Sequence, residues 1–279
     1  MPPKKRIARA KPPRPKRPEW WQAVKIVAPH VVKIETPGGH GTGFLCHYAG
    51  VNSELAVVAT AHHVVEHARD WREPIRITLG ESSETAFISP TERAILVIPQ
   101  NDSAVIMFRR DALALPPNLL SLLPIDRYVV LGAEVAWLGF PNVAPSNLCF
   151  FSGTVSAVFG TGYLIDGVAI NGVSGGPVFF INSGDYSVQI VGAVTEYRPN
   201  VGSGRPALPG LSFAQSIAHF HSMITDLKSI DEAQQKQLEQ AQQASEAATG
   251  QTVPPPDKAI VTRKKSPPSK LSKPSRRSK

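Results

Sequence analysis

From Trp20 to about Ala214 the apolar positions fall in short runs broken by turn residues. Val31-Val32-Lys33-Ile34-Glu35 and Ile75-Arg76-Ile77-Thr78-Leu79 alternate in part, as half-buried strands do, whereas Leu55-Ala56-Val57-Val58-Ala59 is apolar throughout. Tyr128–Leu131, Glu134–Leu138 and Val188–Val191 extend the series. Pro37-Gly38-Gly39 and Gly160-Thr161-Gly162 punctuate it. Many short strands with regular turns predict antiparallel sandwiches or barrels rather than alternating α/β units. The proline-containing stretch from Leu115 to Pro124 has less β character and divides this region into halves of similar length.

Helical spacing begins only afterwards, where Ile217, Phe220, Ile224 and Leu227 share one helix face. Ser229 and Glu232 then form a capping-box pattern ahead of Ala-, Gln- and Glu-rich residues. That second segment is polar nearly all round, and Leu238 has no heptad partners, so it reads as an exposed helix or spacer. The predicted organisation is a Pro-rich tail over 1–19, a β domain over 20–113, a linker over 114–126, a β domain with its packing helix over 127–228, a polar helix or spacer over 229–250, and a second tail over 251–279.

Charge sharpens this division. Residues 1–18 carry eight Lys/Arg and no acid, and residues 251–279 carry nine Lys/Arg with Asp257 alone. Each end therefore carries +8, and because the whole chain is +8, residues 19–250 carry −8. Both ends lack an apolar face that would offset the entropy of ordering, which predicts disorder. Solvated charge, a nuclear import signal, or weak contact with nucleic acid or an acidic partner all fit these tails. No apolar run reaches signal-peptide or membrane-span length, and two cysteines, Cys46 and Cys149, are few for a secreted chain. A cytoplasmic or nuclear location and two buried thiols are the expectation.

The candidate chemistry starts at Asn171-Gly172-Val173-Ser174-Gly175-Gly176-Pro177. A serine hydroxyl is a weak nucleophile until a base takes its proton and donors stabilise the oxyanion. Glycines on both sides permit a tight turn that aims the amides of Gly172 and Ser174 into one hole. An ordinary glycine-rich hairpin loop is the plain alternative. A base is available in Thr60-Ala61-His62-His63-Val64-Val65, at the end of an apolar strand, and an orienting carboxylate in Asn101-Asp102-Ser103-Ala104-Val105. An Asp alone at such a position is commonly a turn or cap residue.

Taken in order, these three segments resemble the chymotrypsin-like (trypsin-fold) serine peptidases, especially the disulfide-poor HtrA-like and bacterial trypsin-like branch. Thr60–Val65 resembles the T-A-x-H-V/C block, whose register assigns the base to His63. Asp102–Val105 resembles D-[LIS]-A-[VL], and Gly172–Pro177 resembles G-[DN]-S-G-G-P. Gly41-Thr42-Gly43-Phe44 is similar to the G-[ST]-G-F hairpin of HtrA-like members. The resemblance covers roughly 20–227 and implies two antiparallel six-stranded β-barrels, with His63 and Asp102 from the first and Ser174 from the second. It implies a serine endopeptidase acting on polypeptide, with Gly172 and Ser174 as oxyanion donors and no cofactor or metal. It also implies that Ile190–Tyr197 lines the specificity pocket, that Thr195, Glu196 and Tyr197 pair with an extended substrate, and that Val168 and Ile170 lie near the pocket floor. With no acid at Val168 and with Tyr197 narrowing the pocket, a small or medium apolar side chain before the cut is expected. Loss of activity in acid is expected near the ordinary histidine pKa of about 6.5. Val173 departs from the acidic or amide residue usual before the nucleophile, and no PDZ-like segment follows.

Two rival readings use the same residues. His63-Val64-Val65-Glu66-His67 spells H-x-x-E-H, the inverted zinc-peptidase motif, but follows directly on an apolar strand and leaves Asp102 and the Ser174 block unexplained. A catalytically silent trypsin-fold module that binds peptides or tethers partners is the non-enzymatic alternative, since a complete motif does not prove its geometry. No nucleic-acid-binding signature accompanies the basic tails.

Overall fold

A computed structural model describes residues 16–46, 48, 54–118, 120–200 and 208–249. Apart from 16–19, the two predicted tails lie outside the described residues, and with them the expected tail contacts. Two β units occupy the chain to Lys236 as one compact unit, and Gln237–Lys279 forms a second. In the latter, the described residues are the last turns of a helix whose side chains are exposed from 237 to 245.

The first β unit comprises β1 (Val31–Thr36), β2 (Gly39–Cys46), β3 (Leu55–Ala61), β4 (Ile75–Leu79), β5 (Thr85–Ile88), β6 (Arg93–Ile98) and β7 (Ser103–Arg109). They form an antiparallel sheet in the order β5-β4-β1-β2-β3-β7-β6. It is a half-barrel of seven strands and forms the first of the two β-barrel units that were expected. Its edge strands are bridged by a side chain. The Arg93 guanidinium on β6 donates to Ile88 O at the end of β5 and to Ala68 O and Glu73 O. A helix follows β3 directly (α2, His62–Asp70), and its Val65 and Ala68 are buried in the core of this sheet.

The second unit closes. Strands β9 (Glu134–Gly139), β10 (Cys149–Val158), β11 (Gly162–Asp166), β14 (Leu208–Ser216), β13 (Val188–Asn200) and β12 (Pro177–Ile181) run in ring order, with β12 pairing back to β9. A two-residue strand, β8 (Ser121–Leu122), joins β13 in parallel. It lies inside the stretch read as a linker, and Leu120 and Leu123 beside it are buried in the second core.

The all-apolar run in β3 has a simple cause. Val58 faces the core of the first sheet, while Val57 and Ala59 face a second core shared with the barrel. A strand buried on both sides shows no alternation. The shared core also takes Ala23 and Val27 of α1 (Trp20–Val27), a helix that the β reading of 20–113 did not foresee. From the other end of the chain it takes Ile217, Phe220, Met223 and Leu227 of α3 (Ile217–Thr249). Phe220 meets Phe44 of β2 with ring centroids 6.0 Å apart.

One continuous helix replaces the predicted break at 229. The Ser229 hydroxyl donates back to Thr225 O instead of capping a new helix. No helix among the described residues is long and apolar enough to cross a membrane. Cys46 is buried and Cys149 half-buried, and both are free thiols. Burial pushes the Cys46 thiol up to about 12.

Candidate active site

Strand register brings His63 and Asp102 together. In the β3–β7 pairing Ala61 stands opposite Ser103, so the residues after β3 face those before β7. Asp102 then does the work of a helix cap for α2, although it lies 39 residues away from His63 in sequence. Its carbonyl accepts from His62 N–H at 3.1 Å and its Oδ1 from His63 N–H at 2.9 Å. A carboxylate at this end of a helix is favoured by the unpaired amides and the dipole. Asp102 itself is left-handed (φ 45°, ψ 44°), a conformation that Asp tolerates better than most side chains.

The same carboxylate accepts a second bond through Oδ2, from His63 Nδ1 at 2.7 Å. With its proton on Nδ1, the neutral imidazole carries its basic lone pair on Nε2. The bond to Asp102 holds the His63 pKa above its ordinary value; partial burial opposes this, and the charges of Asp102 and Glu66 add to it.

Ser174 sits half-buried in the turn between β11 and β12. Gly172 (φ 95°) and Gly175 (φ 85°) supply the left-handed backbone that this turn needs. There is no room for more. A Cβ on Gly175 would lie 2.1 Å from Thr42 O, and one on Gly172 would lie 2.4 Å from Phe140 O. The turn is pinned to β13 by Gly175 N–H to Val194 O (2.6 Å) and Val194 N–H to Gly176 O (2.9 Å). Val173 is fully buried, and Gly139 is the residue that makes room for it. An apolar anchor thus occupies the position where the resemblance leads one to expect an acid or amide.

Thr42 of β2 ties the two β units together at this point. Its amide donates to Ser174 O (2.8 Å), and its hydroxyl donates to Gly172 O (2.8 Å) while accepting from Phe140 N–H (3.0 Å). Sequence reasoning noticed Thr42 as part of a hairpin pattern and missed this role. The pattern holds no hint that the hydroxyl is fully buried against another domain.

The amides of Gly172 and Ser174 find no acceptor among the described residues. His63 and Ser174 open onto one cavity of about 530 Å³, together with His40, His67, Asn142 and Gly172. No hydrogen bond joins the Ser174 hydroxyl to His63 among the described residues.

The residues expected to bind substrate stand apart from this cavity. Val168 is 50% exposed and Ile170 is half-buried, its carbonyl accepting from Val173 N–H. Thr195 is buried at a register shift between β13 and β14, while Glu196 and Tyr197 pair opposite Phe213 and Ser212. The Tyr197 hydroxyl accepts from Gly210 N–H at 2.7 Å. The β12 partner of β13 ends at Ala193, so Thr195–Tyr197 have one backbone edge unpaired among the described residues.

In the H-x-x-E-H stretch, His67 Nδ1 is bonded to Glu73 Oε2 at 2.8 Å, just as His63 Nδ1 is bonded to Asp102. Among the described residues no three His, Cys, Asp or Glu side chains are grouped to hold a metal ion.

Comparison with known proteins places this geometry in context. A family model described as the trypsin-like peptidase domain matches residues 41–185, which include His63, Asp102 and Ser174. No curated protein matches. The fold is similar to that of the serine endoprotease from Yersinia pestis, at 21% identity over 76% of this chain and 67% of that one, with a TM-score of 0.55. It is also similar to a serine-to-alanine mutant of Rv3671c from M. tuberculosis H37Rv in an inactive form, at 19% identity over 74% of this chain and 90% of that one, with a TM-score of 0.51. At these identities the likeness is one of fold: two β units and the elements that join them.

Proposed function

The chain belongs to the trypsin-like peptidase domain family, and on that premise we propose that it is a serine endopeptidase working through an acyl-enzyme on Ser174. The observation that carries the reading is a held base facing a nucleophile. His63, gripped by Asp102 at 2.7 Å, opens onto the same cavity as Ser174, and the amides of Gly172 and Ser174 have no acceptor among the described residues. In the proposed reaction His63 Nε2 takes the Ser174 proton as Oγ attacks the scissile carbonyl. The N–H groups of Gly172 and Ser174 receive the oxyanion. His63 then passes the proton to the leaving amine, and water, deprotonated by His63, hydrolyses the ester. Asp102 keeps the imidazole in the right tautomer throughout. The bond between Ser174 Oγ and His63 Nε2 forms as substrate enters, as catalytic hydrogen bonds of unliganded sites commonly tighten on binding.

The acyl half of the substrate adds to the free edge of β13 at Thr195, Glu196 and Tyr197 by backbone hydrogen bonds. Val168 and Ile170 belong to the wall nearest the residue before the cut. With no acid there, that residue is small or medium and apolar.

A fluorophosphonate probe tests the central claim. The wild type should label and Ser174→Ala should not. A properly folded wild type that stays unlabelled at neutral pH would leave a silent peptide-binding module as the better description. Profiling the labelled enzyme against a peptide library checks the pocket, and dominant cleavage after Lys or Arg would reject the apolar preference.

A further inference from the structure

The cavity of His63 and Ser174 does not end at the hairpin joining β1 and β2. It shares Thr36, Gly39 and His40 with a neighbouring cavity of about 470 Å³, so the two form one continuous groove. The far part is lined by Pro37, Pro74, Arg76 and Phe87. Phe87 lies on the edge strand β5 between the buried Ala86 and Ile88, which turns its ring outward, and it is 71% exposed. The Arg76 guanidinium stands 5.9 Å from that ring, but both oxygens of Glu35 already bind it, and Lys33 binds Glu35 as well. The charges at this end satisfy one another. What is left open to solvent at this end is the aromatic ring. On the near part of the groove His67 lines the cavity, and beside it stands Trp71, 72% exposed, with ring centroids 6.2 Å apart. Of the two exposed rings only Phe87 lines the groove, and a large apolar side chain exposed there marks a candidate binding surface.

We propose that this groove holds the leaving-group half of an extended polypeptide substrate and that Phe87 receives an apolar side chain, aromatic or long aliphatic, several residues beyond the cut. The proposal rests on Ser174 being the nucleophile. Its direction follows from the fold. The acyl half is assigned to the free edge of β13, and none of Thr195, Glu196 or Tyr197 lines this cavity. The other half must therefore leave Ser174 past His63, which has to reach the leaving amine. Continuity with the catalytic cavity selects the substrate as occupant over a separate partner.

Two quenched fluorescent peptides with the same acyl side test it. One ends just past the cut, and the other continues for several residues and carries Phe or Leu there. Phe87→Ser is expected to raise KM for the long peptide roughly tenfold, the order expected when a phenylalanine contact is lost, with kcat unchanged and the short peptide unaffected. An equal change in KM for the two peptides on going from wild type to Phe87→Ser, or no change for either, would overturn the groove. Fluorophosphonate labelling of the same preparations separates the two claims: labelling with an unchanged KM rejects the groove alone, and absence of labelling rejects the nucleophile. Binding of the leaving-half peptide to Ser174→Ala, followed by fluorescence anisotropy, needs no turnover and should weaken about tenfold with Phe87→Ser. Self-association of the wild type that Phe87→Ser abolishes would assign the ring to a second copy and overturn the proposal.

Discussion

The two β units hold their parts of the site by different physics. In the half-barrel, a helix starts where β3 ends, and a carboxylate from the neighbouring strand caps it and grips His63 in the same gesture. In the closed barrel, Ser174 is set by left-handed glycines, a buried valine and main-chain bonds that reach across to Thr42. One arrangement depends on charge and is therefore sensitive to pH. The other depends on steric fit and satisfied backbone groups, which pH leaves alone. The lesson is that a single candidate site can fail in two separable ways.

Asp102→Asn should break the first arrangement most severely. The amide can still cap α2 by accepting from the His63 amide, yet it offers no charge to imidazolium and favours the wrong tautomer. A loss of roughly 10³–10⁴ in kcat is expected from the general logic of such triads, with little loss of stability. Asp102→Ala should lose similar activity and in addition about 1 kcal/mol of cap energy, visible in thermal denaturation. Equal stability in the two variants would show that the cap does not depend on this carboxylate.

Thr42→Val attacks the second arrangement. It removes the partner of Phe140 N–H and of Gly172 O, both buried, so stability should fall by on the order of 3 kcal/mol. Activity should fall at least about tenfold as the oxyanion donors lose their support. The titration of His63, followed by NMR, should stay as it is in the wild type. Movement of that titration would mean that the two arrangements are coupled.

The mildest test is the acid limb itself. A raised His63 pKa means that the base is already protonated at a pH where a free histidine is not, so the midpoint of kcat/KM should lie above about 6.5. Asp102→Asn removes the leading cause of that rise while burial remains, which should carry the midpoint back down. A midpoint that does not move between the two proteins would remove Asp102 from the electrostatic account.

Much of this was legible along the chain, for reasons that differ from residue to residue. The strands announced themselves through apolar runs and turn residues, and three short blocks in the order His, Asp, Ser pointed to the residues that the fold gathers around one cleft. The helix α1 carried a local signal that went unread, because Glu19 stands at the cap where Ser or Thr is usual, while Gln22 three residues on accepts from the Glu19 amide at 2.9 Å as in an ordinary capping box. Helix α2 carried no such signal, since its cap is Asp102 from another strand. Ser229 and Glu232 gave a false start: the buried face of α3 continues to Asp231, whose carboxylate accepts from the Tyr48 hydroxyl at 2.9 Å. A local capping pattern loses to packing that is already in place.

Residue order alone was enough to specify β structure, its division in two, and the chemical types at positions 63, 102 and 174. These follow from side-chain periodicity and from what each functional group can do, and both are local properties. Only the folded chain decided that the first sheet stays open around Arg93, that Thr42 bridges to the turn of Ser174, and that the cavity of Ser174 adjoins the one lined by Phe87. Those outcomes depend on which strand edges meet and which faces are buried twice, and such contacts are made between residues far apart in the chain.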